Sequence, residues 1–136
     1  MPDFKLYQSY LFEADDLKSN RALKGAVFIV YAVLLAIAVA HHEPWMDEAQ
    51  AWLLVKDAGL AEVFTTYLRY EGSPGLWHLI LALPARLGLP YFTINLISAG
   101  LSAAAVWLFL YRSPFPLALK ILFPFSYFIF FLYAVV

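Results

Sequence analysis

Two adjacent carboxylates, Asp47 and Glu48, are the side chains of this 136-residue sequence with the clearest capacity for chemistry. A third acid, Glu71, ends the same segment, residues 41–71, which separates two hydrophobic stretches. A carboxylate held near a hydroxyl group can act as a general base. The pair also has a structural interpretation, because Asp at an N-cap and Glu in a first turn both stabilise the start of a helix. The spacing alone leaves both interpretations open.

The histidines are a second set of candidate residues. His41 and His42 precede Glu43, a combination that would bind a metal ion if the three side chains converged. Adjacent side chains diverge and neither histidine has a ligand one helical turn away, so we favour a histidine pair at the membrane interface and predict no metal site. His78 lies in a hydrophobic stretch. There a polar side chain has either a function or a hydrogen-bond partner on a neighbouring helix.

Composition limits the class of protein in which these residues act. Of all residues 63% are hydrophobic, 18% aromatic and 14% charged, against about 45–50% apolar and about 25% charged in an average soluble domain. Disordered segments, coiled coils and nucleic-acid-binding domains need far more charge. The lack of cysteine removes disulfides, thiolate metal ligands and thiol nucleophiles. We therefore expect a protein that is embedded in a lipid bilayer and binds no nucleic acid.

Long uncharged stretches define the expected helices. All ten acids lie in the first 71 residues, and a membrane span needs about 20 apolar residues. The predicted fold is all-α, a polytopic membrane bundle of about four transmembrane helices with short interfacial helices in the first external loop. The four helices are predicted at about 25–41, 74–89, 91–111 and 117–136.

Glycine and proline residues separate these helices. Gly88 suits the C-terminal cap of the second helix. Pro114 and Pro116 separate the third helix from the fourth. Pro84 and Pro124 fall inside predicted spans, where neighbouring helices can satisfy the carbonyl groups that a proline leaves free.

Basic residues predict the orientation of the chain. Lys18, Arg21 and Lys24 precede the first span, and the loop that follows it holds more acids than bases. The positive-inside rule therefore places residues 1–24 in the cytoplasm and loop 43–71 outside.

The remaining bases fit this orientation less well. Strict alternation over four spans places Arg86 inside but Arg112 and Lys120 outside, against the rule. An alternative for the first span is a signal peptide cleaved after residues 38–40, whose Ala-Val-Ala sequence resembles a signal-peptidase site. The segment before it is long and acidic for a signal peptide, so we favour a retained span.

The external loop is predicted to contain two short interfacial helices. Asp47 stands where the first begins, and Trp45 and Trp52 are expected at the level of the lipid headgroups. A glycine ends this helix and a second amphipathic turn follows it. Glu71 then lies at the mouth of the next span, where it either lines the site or pairs with Arg69, and we favour the pair.

These residues form two motifs that resemble a known family. The first is Trp-x-Asp-Glu-Ala at residues 45–49, just after a predicted transmembrane helix. The second is Glu-Gly-x-Pro-x-Leu-Trp at residues 71–77, where the next helix begins. Together they resemble the GT-C glycosyltransferases, multispanning enzymes that include the protein O-mannosyltransferases and the aminoarabinose transferases of lipid A. The family's His-Pro-Pro sequence corresponds to Ser-Pro-Gly at residues 73–75.

The resemblance implies an integral membrane glycosyltransferase of the inner membrane. Such an enzyme transfers a sugar from a polyprenyl-phosphate donor to an acceptor hydroxyl at the external face. By the same resemblance Asp47 is the general base or electrostatic partner of the acceptor, with Glu48 beside it, and Trp45, Glu71 and His78 are candidates for substrate binding. The expected partners are membrane lipid and the lipid-linked donor. The cofactor stays unassigned, although some relatives use a divalent cation.

The resemblance also bears on how complete the chain is. Family members have many more spans, so we expect residues 25–136 to be the N-terminal part of a larger membrane domain and the chain alone to be inactive. The competing hypothesis is a small non-enzymatic polytopic membrane protein, either an accessory subunit or part of a transporter.

Overall fold

The structure, a computed structural model, describes residues 19–43, 45–71 and 75–126, and this part of the chain is helical without any strand. Its elements, in chain order, are α1 (Ser19–Ala40), α2 (Met46–Asp57), α3 (Leu60–Glu62), a π-helical turn (Val63–Tyr67), α4 (Leu68–Glu71), α5 (Gly75–Arg86), α6 (Thr93–Arg112), α7 (Leu117–Leu122) and a 3-10 turn (Phe123–Phe125). The prediction of an all-α fold is confirmed for these residues.

Two helices are long and apolar enough to cross a membrane. They are α1 over Arg21–Ala40 and α6 over Thr93–Arg112, with mean hydropathies of 2.4 and 1.7. Only 22% of each segment is buried, so most of its apolar side chains point away from the protein. This favours association with a membrane. The count of four spans stays a prediction, because α5 has 12 residues, which is about 18 Å of helix.

Helix α5 ends at the glycine that the sequence singled out. Gly88 has φ 76°, its N–H donates to Ala85 O at 3.2 Å, and the N–H of Leu89 donates to Pro84 O at 3.1 Å. These two bonds form a Schellman motif, which requires the left-handed backbone that glycine adopts without strain. The predicted cap at Gly88 is confirmed.

The predicted helix over 117–136 is interrupted at Pro124. Helix α7 ends at Leu122, the 3-10 turn follows, and Ser126 has an extended backbone. A proline lacks the N–H that a helix interior needs and its ring collides with the preceding turn, so the α-helix does not run through it. Residues 127–136 lie outside the described part of the chain.

The chain divides into two compact units. The central unit comprises residues 42–97, and the helix-pair unit comprises the described residues before and after it, 19–41 and 98–126. In the central unit, α2 packs against α5. Its apolar core is formed by Ala51, Trp52, Val55, Val63, Leu81, Ala82, Ala85 and Ile94.

The helix-pair unit joins α1 to the later part of α6. Its core is formed by Val27, Tyr31, Leu35, Val39, Val106 and Leu110. The hydroxyl groups of Tyr31 and Ser102 form a hydrogen bond of 2.6 Å between the two helices. Such a bond satisfies two hydroxyl groups that would otherwise be costly in an apolar environment.

Candidate functional site

The candidate carboxylates lie in the first turn of α2. Trp45 is the N-cap residue, with an extended backbone, and the helix begins at Met46. The Trp45 N–H donates to Glu48 Oε2 at 3.3 Å, as in the reciprocal half of a capping box. Asp47 is exposed, and within the described part of the chain it makes no hydrogen bond or ion pair. The two adjacent acids therefore have different environments.

His42 holds the Glu48 carboxylate from outside the helix. Its Nε2 donates to Glu48 Oε2 over 2.9 Å, and since a carboxylate only accepts, Nε2 carries the proton. The His42 side chain is 7% exposed and that of Glu48 21%. Two donors on one oxygen fix the orientation of this carboxylate, whereas that of Asp47 stays free to rotate.

Tyr91 brings a phenol close to the same carboxylate. Its hydroxyl is buried and has no hydrogen-bond partner in the structure as described, while its ring packs edge-on against Trp52 with 5.9 Å between ring centroids. Burial, and to a smaller extent the negative charge of Glu48, raises the pKa of Tyr91 above its ordinary value of 10.0. The hydroxyl is therefore a neutral group with an unused proton to donate.

Arg86 fixes the opposite end of α2. Its Nε donates to Val55 O at 3.1 Å and its terminal nitrogen to Ala58 O at 2.7 Å. These carbonyl groups belong to the last turn of α2 and the residue after it, where helices leave acceptors without partners. A cation at a helix C-terminus is also stabilised by the helix dipole. Arg86 thus ties α5 to α2 and sets the position of the helix that carries the acids.

Two clefts flank α2. One, of about 630 Å³, is lined by acidic and apolar residues, namely Met46, Gln50, Leu53, Asp57, Glu62 and Tyr67 among others. The other, of about 520 Å³, contains a lysine and the phenol described above, and is lined by Ala49, Trp52, Leu53, Lys56, Gly88, Leu89, Pro90 and Tyr91. The second cleft is the one suited to an anionic group.

The structure places the predicted site residues in three different situations. Asp47 and Trp45 are exposed at the start of α2, and Glu48 is partly buried beside them. His78 is 1% exposed and lies on the face of α5 that carries the core residues. The side chain of Glu71 lies outside the described residues. A shared substrate site for these residues stays a prediction.

The sequence does not predict the surroundings of Glu48, where His42 binds the carboxylate and Tyr91 lies within reach of its charge. Neither residue lies at a helical spacing from Glu48, so no periodicity in the sequence points to them. His41 has a separate role, because its Nδ1 lies 2.8 Å from Ile37 O in the last turn of α1. No group of three or more His, Cys, Asp or Glu residues in the described ranges is arranged to hold a metal ion.

Comparisons of the chain with protein families, with curated proteins and with solved structures find no match. The function is therefore argued from the residues and their geometry.

Proposed function

We propose that the chain is part of a membrane glycosyltransferase that transfers a sugar from a polyprenyl-phosphate donor to an acceptor hydroxyl at the external membrane face. The observation that carries the proposal is the asymmetry of the two acids. Glu48 is held by His42 and the Trp45 N–H, and Asp47 beside it is exposed with no bond to another described residue. The resemblance of residues 45–49 and 71–77 to GT-C motifs supplies the reaction class.

Asp47 is the proposed general base. In the reaction the acceptor oxygen forms a bond to the anomeric carbon while the bond from that carbon to the phosphate oxygen breaks. The acceptor proton passes to the Asp47 carboxylate, and the lipid phosphate leaves with the electron pair. One base is sufficient, because a phosphate is a good leaving group without protonation. An exposed carboxylate without a partner can approach a hydroxyl directly.

Glu48 is the proposed positioning residue for this base. Through the Trp45 N–H it holds the first turn of α2 in place, and through His42 it ties that turn to the preceding segment. A catalytic group held on a rigid element reaches its substrate with less loss of entropy. Glu48 therefore acts on the acceptor through Asp47 rather than by contact.

The cleft that contains Lys56 and Tyr91 is the proposed site of the donor phosphate. Lys56 is exposed and forms no ion pair with another described residue, whereas the Tyr91 hydroxyl is buried, so it is Lys56 that can reach a phosphate in this cleft. A lysine is a common phosphate ligand. The flanking leucine and proline residues provide apolar surface for the first part of a polyprenyl chain.

The same proposal covers localisation. The chain is a multi-pass protein of the inner membrane, with α1 and α6 as spans and residues 43–71 outside. It is supported by the hydropathy of these two helices and by the cluster of basic residues before α1.

The test compares Asp47→Asn with Asp47→Ala in the source organism, using the sugar transfer that is lost when the gene is deleted. We expect Asp47→Asn to leave the amount of membrane-inserted protein unchanged and to lower transfer by about two to four orders of magnitude, the usual contribution of a positioned base. Asparagine keeps the size of the side chain and loses the basicity together with the interaction of the charge with the helix dipole, which contributes about 0.3–1 kcal/mol. Glu48→Gln should cost less.

Asp57→Asn is the matched control, since Asp57 is an exposed acid at the other end of the same helix. It should leave transfer unchanged. If Asp47→Asn keeps full transfer while Asp47→Ala loses both transfer and protein, Asp47 only stabilises the helix. The chain is then better described as a non-enzymatic accessory protein or part of a transporter.

A further inference from the structure

Helix α5 exposes a continuous stripe of leucine side chains. Leu76, Leu79, Leu83 and the following Leu87 are 67%, 52%, 69% and 70% exposed. Their spacing of three and four residues places them on one side of the helix. The buried residues of α5, which include His78, Leu81, Ala82 and Ala85, occupy the opposite side. Both sides of the helix are thus mainly apolar: one packs in the protein and the other is exposed.

The described part of helix α5 is short for a membrane span. Its 12 residues extend about 18 Å, against about 30 Å of hydrocarbon. The Schellman motif at Gly88 ends it, so the following residues do not lengthen it. Arg86 at its C-terminal end binds the carbonyl groups of Val55 and Ala58. The C-terminal ends of α2 and α5 therefore lie next to each other.

We propose that α5 lies along the external membrane surface, with its leucine stripe inserted among the acyl chains of the outer leaflet. The proposal rests on α1 and α6 being membrane spans, but not on the transferase activity. The properties of the stripe and its position in the chain favour lipid as the material that covers it. The stripe carries no charged residue, and a few residues later in the chain α6 begins at Thr93, a helix long and apolar enough to cross a membrane.

The distribution of basic residues supports the same topology independently. Once α5 is removed from the spans, Arg112 and Lys120 follow the second span instead of the third. They then lie on the cytoplasmic side together with Lys18, Arg21 and Lys24. Arg86 moves to the external side with Lys56 and Arg69, so this topology places six bases inside and three outside, against five and four for the four-span alternation, and agrees better with the positive-inside rule.

Depth measurement along α5 tests the proposal directly. Because the chain has no cysteine, single cysteines at Leu76, Leu79, Leu83 and Leu87 can carry spin labels in bilayers of phosphatidylethanolamine and phosphatidylglycerol. Accessibility to oxygen and to a water-soluble nickel complex then gives the depth of each label. We expect all four labels at the same shallow depth. In a crossing helix the depth would change by roughly 16 Å from Leu76 to Leu87, which would overturn the proposal.

The control label replaces Gln50, an exposed residue of α2, and should be accessible to the nickel complex. Stripe labels protected from both reagents would mean that protein covers the stripe instead of lipid. Such a result would refute the proposal, and spin–spin broadening would identify a second copy as the cover.

Labelling of intact cells with an impermeant maleimide tests the topology separately. Cysteine replaces Ser19, Thr65 or Ala118 in three single variants. We expect labelling at Thr65 in intact cells, and at Ser19 and Ala118 only after permeabilisation. Labelling of Ala118 in intact cells, together with Thr65, would mean that the chain crosses the membrane between them either twice or not at all, and would overturn the proposal whatever the outcome of the transfer assay.

Discussion

The central unit and the helix-pair unit use polar side chains in different ways. In the central unit the polar groups bind helix termini, as Glu48 does at the start of α2 and Arg86 at its end. In the helix-pair unit the Tyr31–Ser102 hydrogen bond joins two long apolar helices within their length. The first arrangement stabilises short helices that water can reach, and the second suits helices surrounded by lipid. Substitutions in the central unit should therefore have the larger effects.

Removal of the Arg86 side chain should have the largest effect on stability. Arg86→Leu leaves the carbonyl groups of Val55 and Ala58 without their charged donor, which we expect to cost about 2 kcal/mol of unfolding free energy. Arg69→Leu is the control, because Arg69 is an exposed base of the same unit, and its effect should stay within about 0.5 kcal/mol. Thermal unfolding in detergent, followed by circular dichroism, compares the two. Equal melting temperatures would mean that α2 does not depend on this contact.

A methyl group at Gly75 should destabilise the start of α5. A Cβ there would lie 2.8 Å from Phe64 Cε1 and 3.3 Å from Leu68 Cδ1, so the aromatic ring must move. We expect Gly75→Ala to cost about 1.5 kcal/mol, a typical cost of overpacking. At Gly100 a Cβ meets nothing within 4 Å, and Gly100→Ala should stabilise α6 by about 0.5–1 kcal/mol. A stabilising Gly75→Ala would contradict the close approach of α5 to Phe64.

Removal of the Tyr91 hydroxyl should separate stability from function. Tyr91→Phe deletes a buried group that has no hydrogen-bond partner in the described structure, so we expect a gain of about 1 kcal/mol. Because the buried hydroxyl is not accessible from the cleft, sugar transfer should stay unchanged in the same variant. Stability and transfer that fall together would assign the phenol a structural role.

The pH dependence of stability offers a second measurement on the same residue. The folded-state pKa of Tyr91 is above its ordinary value of 10.0 because burial, and less strongly Glu48, disfavours the phenolate. The unfolded chain therefore releases this proton at a lower pH than the folded chain. The contribution of Tyr91 to the free energy of unfolding is fully present below about pH 10 and is lost as the pH rises through the folded-state pKa. Tyr91→Phe should remove that part of the alkaline loss of stability.

The smallest effect is expected in the helix-pair unit. Ser102→Ala removes the hydrogen bond to Tyr31, and such bonds between membrane helices contribute about 0.6 kcal/mol on average. Ser98→Ala, a change of the same type on the same helix without a hydrogen bond in the structure, should have no effect on the melting temperature. A loss from Ser102→Ala larger than that from Arg86→Leu would reverse the contrast between the two units.

Much of the secondary structure was accessible from the sequence. The third predicted helix, 91–111, corresponds closely to Thr93–Arg112, and the cap at Gly88 lies where glycine was expected. The first helix already includes Ser19, where the described residues begin, because charged residues before residue 25 continue the helix although they do not continue the apolar run. Helix ranges and caps depend on residues that are close together in the chain, so the sequence is sufficient to predict them.

The prediction of a span over residues 74–89 cannot be decided by such rules. A helix with one side buried in protein and the other exposed has the same composition as one surrounded by lipid. Hydropathy therefore does not decide between a short span and a helix at the surface, and the leucine stripe became visible only when the packing of Leu81 and Ala85 against α2 defined its opposite face.

The sequence by itself determined that the chain is helical and rich in apolar surface, that α1 and α6 are of membrane-spanning length, and that two acids stand at the start of a helix. These properties follow from composition, from helical spacing and from the limits that proline and glycine impose on the backbone. The tertiary structure alone decided that His42 binds Glu48 and that Arg86 binds the far end of α2. Contacts between residues distant in the sequence depend on how helices pack, and packing is a property of the whole unit rather than of any segment.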